Sequence, residues 1–397
     1  MVSIKANMMK GIGTNIIILG FVSLFTDLSS QMVFPLIPLF LSTTLGASPI
    51  VVGLVEGCAE TTASLLKVFS GYWSDRIKKR KPFVFIGYGL SGLMKPLFAF
   101  SYVWQSVLVI RIAERIGKGI RNAPRDAIVA ESCDTGVMGK AYGIHRAMDG
   151  FGSVLGAVMA LILLFFLDIR DIFLLAGIPA IIAVLLVLFI KEKKKDVPVK
   201  NVASIWISFK ALTPELKKFI IISTIFTLGH FGVAFLLLRA LDIFGQDITK
   251  TLVMYILFYL IYTIFTVPAG MISDKFGRKP VIISGYLLFG LTSVGLSLTY
   301  NLFWIICLFM LYGLFFAMID GVQRAFVVDL TPPELKATAL GTFHAATGLA
   351  ALPAGLIAGL LWECFSPETT FFYSFIVSII AAVLLLRSKS PCEFKSV

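Results

Sequence analysis

Charged residues are scarce in this 397-residue chain: Asp, Glu, Lys and Arg make up 15% of it, whereas hydrophobic residues make up 58%. A soluble globular domain is about half apolar and about a quarter charged. An ordinary core could not bury so much apolar surface. The composition therefore excludes an ordinary soluble protein and indicates a lipid bilayer as the solvent of most of the chain.

Catalytic and metal-binding motifs are also missing. The five cysteines are scattered without a C-x-x-C pair, which indicates neither a disulfide framework nor a zinc site. The patterns H-E-x-x-H and G-x-S-x-G do not occur, and the glycines around Lys118 lack the spacing of a phosphate-binding loop. We therefore expect no enzymatic activity, no metal, no cofactor and no use of ATP.

What the chain does contain is twelve long apolar stretches, each close to the ~20 residues that a membrane-spanning helix needs. Barrel strands would be shorter and would alternate strictly, so the pattern predicts an all-α integral membrane protein with twelve transmembrane helices. The fourth stretch is the least apolar, and we expect its charges to face inward. The predicted spans are Asn15–Leu41, Pro49–Ser70, Phe83–Tyr102, Val103–Arg121, Ala141–Leu167, Ile172–Ile190, Phe219–Leu241, Thr251–Ser273, Val281–Tyr300, Leu302–Val328, Leu340–Trp362 and Phe371–Leu386.

The positions of the lysine and arginine residues predict the orientation of the chain in the membrane. The net charge of +12 arises from basic residues concentrated in alternate connections, which the positive-inside rule places in the cytoplasm. We therefore expect a multi-pass protein of the inner (cytoplasmic) membrane with both termini cytoplasmic. Because the basic residues occupy short loops between spans, they do not indicate a nucleic-acid partner.

Two halves of the chain share the same landmarks. GYWSDRIKKRKP recurs as GMISDKFGRKP, so that Asp75 and Asp274 lie 199 positions apart. Arg125 and Arg324 show the same offset, and GIHRAMDG aligns with GTFHAATG at an offset of 198. A unit of six helices used twice, with a site between the copies, is a transporter architecture.

The repeat predicts two pseudo-symmetric six-helix bundles, at residues 1–190 and 219–397. Residues 191–218 form the longest polar stretch, which we interpret as a cytoplasmic linker. The linker is expected either to carry a short helix on the membrane surface or to be a disordered tether.

The repeated motif resembles the inner-loop signature of the major facilitator superfamily, G-x-x-x-D-[RK]-x-G-R-[RK], and the resemblance extends over the whole chain. RIGKGIRNAPRDAIVAES and GIHRAMDGFGSVLG are more narrowly similar to a prokaryotic subgroup of proposed efflux permeases. The second copy matches fully, through Gly270, Asp274, Lys275, Gly277, Arg278 and Lys279. The first copy keeps Gly71, Asp75, Arg76 and Arg80 but has Lys78 where glycine is usual.

The resemblance implies a cytoplasmic gate in which each motif bridges the two halves. Asp75 would contact the start of helix eleven near Thr338–Leu340, and Asp274 the start of helix five near Met138–Lys140, because free N–H groups there favour a carboxylate. The alternative is that the cations only enforce orientation, as we expect for Lys78, Lys81 and Lys275.

Two further acidic residues complete this prediction. Asp126 is placed to pair with Lys79 or Arg80, and Asp320 lies one helical turn from Arg324. The expected gate residues are Asp75, Arg76, Arg80, Asp126, Asp274, Arg278, Lys279, Asp320 and Arg324.

Ionisable residues also lie within the predicted spans, where each costs at least ~2.5–3.5 kcal/mol on insertion scales and is therefore usually paired and functional. Helical spacing groups them in pairs, and the resemblance places helices one, two, four and five beside a central cavity. Lys95 on helix three then needs a lateral partner such as Glu60 or Asp149. The predicted substrate and proton cavity comprises Asp27, Gln31, Glu56, Glu60, Arg111, Glu114, Arg146 and Asp149.

Aromatic residues of the second half admit two interpretations. Helix eight carries a stripe of rings at helical spacing, and helix seven adds two more; they are Tyr255, Phe258, Tyr259, Tyr262, Phe226 and Phe231. The rings form either an aromatic wall for an amphipathic substrate or a packing surface. On helix five, Gly152 and Gly156 fit part of the glycine-rich pattern of the family's exporters and allow close helix approach.

From these features we expect a monomeric secondary transporter that exports a small amphipathic organic compound in exchange for protons. Asp27, Glu60 or Glu114 would bind and release the proton as access alternates; the alternative is a static salt-bridge network. The alternative function is an importer or facilitator of an organic anion or zwitterion, and a transporter-fold sensor is the third possibility.

Overall fold

The computed structural model describes residues 13–77, 79–132, 138–191, 212–332 and 335–388. This part of the chain is helical with short connections and contains twelve long helices, which confirms the predicted all-α class. They are α1 Thr14–Thr44, α2 Pro49–Ile77, α3 Lys81–Phe100, α4 Trp104–Glu131, α5 Met138–Leu163, α6 Ile169–Val187, α7 Pro214–Ile243, α8 Ile248–Phe276, α9 Arg278–Leu298, α10 Leu302–Asp329, α11 Lys336–Cys364 and α12 Pro367–Arg387.

Eleven of these helices are long and apolar enough to cross a membrane, and α4 is the exception. Its charged residues lower its hydropathy, but Arg111, Glu114 and Arg115 are buried within the protein. Neighbouring helices thus shield the charges of α4 from lipid, as its sequence predicted.

α7 is broken in the middle of its span. Its first part ends at Gly229 and its second begins at Gly232, which has a φ of +71° that only glycine adopts readily. A break within a membrane leaves carbonyl groups without helical partners. The hydroxyl of Tyr373 on α12 donates to one of them, the Leu228 carbonyl, over 3.3 Å.

The helices group into two compact units. The first comprises residues up to Leu36 together with Leu66–Val202, and the second comprises Ile37–Leu65 together with Ala203–Val397. In the first unit α1 packs against α5 and α3 against α4; in the second, α7 packs against α11 and α9 against α10. The pairing is the same after a shift of six helices, as a duplication requires. The predicted linker lies mostly outside the described residues, and the boundaries at 190 and 219 stay a prediction.

Glycines allow close helix approaches in both units. In the first, a Cβ atom at Gly152 or Gly156 of α5 would collide with the backbone of α1, so the predicted close approach is present. In the second, Gly53 of α2 and Gly355 of α11 face each other, and a Cβ atom at either would meet the carbonyl of the other. A Cβ atom at Gly57 would lie 2.8 Å from a backbone atom of α11.

Candidate functional site

Asp27 is the central acidic residue of the first unit. It is half-buried on α1, and the charged groups that act on it are Asp149 from α5 and Lys118, Arg121 and Arg125 from α4. The structure therefore brings two of the predicted cavity carboxylates into one electrostatic cluster. Gln31, one turn further along α1, is half-buried as well.

Asp149 joins this cluster through its own helix. Its Oδ2 atom lies 3.5 Å from Nδ1 of His145 and 3.7 Å from a guanidinium nitrogen of Arg146, so both predicted pairs on α5 are formed. The Arg146 side chain is 62% exposed although it lies within the span. Because a charge in contact with lipid is very unfavourable, such an exposed side chain marks water rather than hydrocarbon.

Glu114 forms the buried charge centre of α4. Its Oε2 atom lies 3.4 Å from Arg111, as predicted, and 3.5 Å from Arg115. The guanidinium groups of both arginines lie over the ring of Phe34 on α1, at 4.3 and 4.9 Å, where the ring face attracts a cation. Among the described residues, the other carboxylate oxygen, Oε1, has no hydrogen-bond partner.

Lys95 on α3 is fully buried, but it does not form the predicted ion pair. Its Nζ atom donates to the Thr26 carbonyl and the Ser29 hydroxyl of α1, each over 3.1 Å. Ser29 in turn donates to the Ala176 carbonyl over 2.6 Å. A carbonyl and a hydroxyl thus take the place of the expected carboxylate. Both belong to another helix, and spacing within one helix cannot predict contacts between helices.

Glu56 and Glu60, the predicted cavity residues of α2, belong to the second unit. Glu56 is half-buried and Glu60 is exposed within the span. Thr61 beside them donates to the Gly348 carbonyl of α11 over 2.6 Å. Glu60 is therefore, like Arg146, an exposed charge at membrane depth.

The aromatic side chains of the second unit mainly pack against one another. Phe226, Phe231, Tyr255 and Phe258 are buried. The rings of the three phenylalanines contact rings of α9, α12 and α10, and the ring of Tyr255 contacts that of Phe258 on the same helix. The packing interpretation therefore holds for these four. Tyr259 and Tyr262, also predicted for the aromatic wall, remain half-buried, as does His230 at the break in α7, which lies 3.2 Å from the Tyr312 hydroxyl.

Asp320 and Arg324 form the predicted pair on α10, at 2.6 Å. The structure adds a third member that sequence spacing did not indicate: the Tyr262 hydroxyl of α8 donates to the same carboxylate oxygen over 3.2 Å. The second unit therefore has a polar cluster of its own.

The second copy of the motif forms a network at one end of its unit. Arg278 lies 2.5 Å from Asp274 and 3.3 Å from Asp329, and it donates to the Ser273 hydroxyl over 2.6 Å. Lys279 turns away from this network and donates to the carbonyls of Leu386 and Ser388. The predicted contact of Asp274 near Met138–Lys140 involves side chains outside the described residues.

The first copy shows a related arrangement. Arg80 lies 2.8 Å from Glu131, and Asp126 lies 2.8 Å from its neighbour Arg125. Arg76 is exposed. The Asp75 side chain is outside the described residues, so its predicted contact with α11 stays a prediction.

Spanning helices, a repeated helical unit and paired charges at membrane depth define a membrane transport protein. The chain belongs to the Major Facilitator Superfamily, whose model matches residues 19–254 and 219–393. This confirms the family that the repeated motif indicated.

Relatives agree with this assignment. An MFS-type transporter of Methanocaldococcus jannaschii is 40% identical over 384 residues, which cover 95% of each chain. The multi-drug resistance efflux pump PmrA of Streptococcus pneumoniae is 31% identical over 117 residues, 30% of this chain and 29% of the pump. The crystal structure of a mutant of the nucleoside transporter NupG has the same fold, with a TM-score of 0.83 and 14% identity over 95% of this chain and all of that one.

Proposed function

We propose that the protein is a secondary transporter that exports a small amphipathic organic compound in exchange for protons. In this proposal it is a monomer of the cytoplasmic membrane with both termini in the cytoplasm. The observation that carries the proposal is the cluster of ionisable side chains around Asp27, because the membrane interior makes such a cluster costly unless it has a use.

Proton exchange requires a carboxylate whose surroundings change with access. Asp27 has both a like charge, Asp149, and opposite charges from α4 within electrostatic reach. A change in hydration or in the position of any of these groups alters the proton affinity of the carboxylate. Alternating access would make that change twice in each cycle, once on each side of the membrane.

An amphipathic substrate agrees with the make-up of the second unit, which offers half-buried rings next to charged groups. Export agrees with the similarity of part of the chain to a multi-drug efflux pump.

The motif networks around Arg80 and Arg278 would form the cytoplasmic gate, with Asp75 and Asp274 as the residues that bridge the halves.

Purified protein in lipid vesicles with an imposed pH gradient tests the proposal. A panel of fluorescent amphipathic compounds is screened for gradient-dependent flux, and an internal pH dye reports the protons that move with it. We expect Asp27→Asn to abolish coupled flux and Asp149→Asn to retain it. Asp247→Asn is the matched control, because Asp247 caps α8 outside the span and Asn caps equally well. Equal flux with and without the gradient would reject proton coupling.

A further inference from the structure

An ion pair of the second unit lies in an unusual place. Asp320 and Arg324 are on α10 within the apolar span, yet their side chains are 42% and 31% exposed. Contact of either charge with lipid would be strongly unfavourable, so this degree of exposure indicates a water-filled space beside α8 and α10. The pair and the Tyr262 hydroxyl that contacts it are named here the α8–α10 site.

The position of the pair separates it from the motif network. Asp320 precedes Asp329, the last residue of α10, by nine residues, which is about 13 Å along a helix axis. The contacts of Arg278 are gathered at that helix end. The α8–α10 site therefore lies deeper in the span, which favours a role in binding over the gate role that the sequence suggested.

The hydrogen bonds of the α8–α10 site leave ligand atoms available. The hydroxyl of Tyr262 and a terminal guanidinium nitrogen of Arg324 both contact Oδ2 of Asp320, and Nε of Arg324 donates to the Asp320 main-chain carbonyl over 2.8 Å. Oδ1 of Asp320 and the second terminal nitrogen of Arg324 take part in none of these contacts. Within the described part of the chain, one acceptor and one donor of the pair are thus available to a ligand.

Charge balance selects the class of ligand. The pair is neutral as a whole, so a ligand with a single charge would leave one unbalanced charge at membrane depth. A zwitterion adds no net charge: its ammonium group can bind the Asp320 carboxylate while its carboxylate or other anionic group binds the Arg324 guanidinium. Such hydrogen bonds between ionised groups are stronger than neutral ones.

Aromatic rings flank the same site. The ring of Tyr262 lies 5.6 Å from that of Tyr259 and 5.8 Å from that of Phe316, centroid to centroid, and all three residues are half-buried. Half-buried rings offer apolar faces that a flat or apolar group of a ligand can contact. The site thus combines a polar end with an apolar end.

We propose that Tyr262, Asp320 and Arg324 bind the zwitterionic head of the transported compound, with its apolar or aromatic part on Tyr259 and Phe316. The inference rests on the proposed function in that it assigns the substrate class of the same transporter. It does not depend on proton coupling or on the direction of transport.

Three probes that share an indole ring and differ in charge test the proposal: tryptophan, a zwitterion; tryptamine, a cation; and indole-3-propionate, an anion. Binding to the purified full-length protein is measured at equilibrium without a gradient. We expect tryptophan to bind at least about tenfold more tightly than either analogue, because it alone satisfies both charged groups. Failure of tryptophan to bind, or equal binding of all three, would overturn the proposal.

Variants then assign the two charges. Asp320→Asn should weaken tryptophan binding about tenfold or more and make indole-3-propionate the preferred probe, whereas Arg324→Gln should make tryptamine preferred. The double exchange Asp320→Arg with Arg324→Asp restores the pair and should restore part of the tryptophan affinity, which guards against a folding defect in a single variant. Asp247→Asn is the control and should bind as the unmodified protein does.

The two proposals fail separately. If gradient-driven flux is absent but the three probes and their variants behave as stated, the α8–α10 site stands and proton coupling falls. If coupled flux of another compound is observed and the charge variants leave probe preference unchanged, the site is wrong and the coupling stands.

Discussion

Single residues show the duplication of this protein in atomic detail. Lys81 donates to the carbonyls of Leu188 and Ile190, each over 2.7 Å, and Lys279 donates to those of Leu386 and Ser388. All three positions of one set lie 198 residues from those of the other. A cation at a helix C-terminus satisfies free carbonyls and favours the helix dipole. The sequence indicated only an orientation role for Lys81. Its carbonyl partners lie more than a hundred positions away, and local spacing does not reveal such contacts.

The lysine contacts predict a stability effect. Lys279→Met removes the cation from the end of α12 and should lower the free energy of unfolding by about 1 kcal/mol, whereas Lys279→Arg should keep most of it. Lys275→Met removes an exposed cation from the same copy of the motif and serves as the control. Thermal unfolding of the purified protein measures all three; equal midpoints for Lys279→Met and Lys275→Met would show that the contact contributes nothing.

Arg239 is a second residue whose role only the structure shows. It is fully buried and lies 3.1 Å from Asp242 and 3.0 Å from Glu368, with its guanidinium 4.6 Å from the centre of the Tyr300 ring. Because Glu368 lies in a different helix, α12, spacing within one helix does not indicate this contact.

Replacing Arg239 should therefore lower the free energy of unfolding. Arg239→Met leaves the carboxylates of Asp242 and Glu368, which are 47% and 32% exposed, without their shared cation. The loss should be smaller than the about 3–5 kcal/mol typical of a pair whose remaining charge is buried, but larger than that of an exposed pair. Lys250→Met is the matched control, since Lys250 pairs with Asp247 at 3.1 Å but is 66% exposed, and exposed pairs contribute about 0–1 kcal/mol. Similar losses of folded protein for both variants would contradict this comparison.

At the scale of the helices, the sequence predicted which segments exist better than where they end. α10 begins at the predicted residue, whereas α4 was predicted to end at Arg121 and ends at Glu131. The extra turns, with Pro124 among them, are polar, and hydropathy detects only the apolar part of a helix. The break in α7 was missed as well, because GHFG lies within an uninterrupted apolar stretch and only the φ of Gly232 shows the break.

The crossing of α2 and α11 carries an element-scale prediction. Gly355→Leu places a side chain against the Gly53 carbonyl, and overpacking of this kind costs about 1–3 kcal/mol. The variant should lower the unfolding midpoint and reduce flux in vesicles. Gly89→Leu on α3 is the control, because a Cβ atom there meets nothing within 4 Å. Unchanged stability and flux in Gly355→Leu would show that the helices can separate at no cost.

At the scale of the molecule, the family and the repeated unit could be predicted from the sequence. The scarcity of charged residues and the motif repeated after 199 residues are properties of the whole chain and do not depend on how side chains pack. The sequence led to the candidate site only in part. Pairs within one helix, such as Arg146 with Asp149, follow from helical spacing. Contacts between helices, such as Tyr262 with Asp320 or Lys95 with Thr26, depend on rotation and packing that spacing does not contain.

The orientation of the molecule in the membrane is the prediction that fixes which end is the gate. α8 has 29 residues between two exposed turns, about 43 Å of helix, so its ends must lie on opposite sides of a bilayer. In a cysteine-free background, Gln246→Cys should react with a membrane-impermeant maleimide added to intact cells, whereas Lys275→Cys should react only after permeabilisation, because the basic motif belongs inside. Labelling in the reverse order would place the Arg278 network outside, and with it the proposed gate, so the direction assigned to transport would have to be abandoned as well.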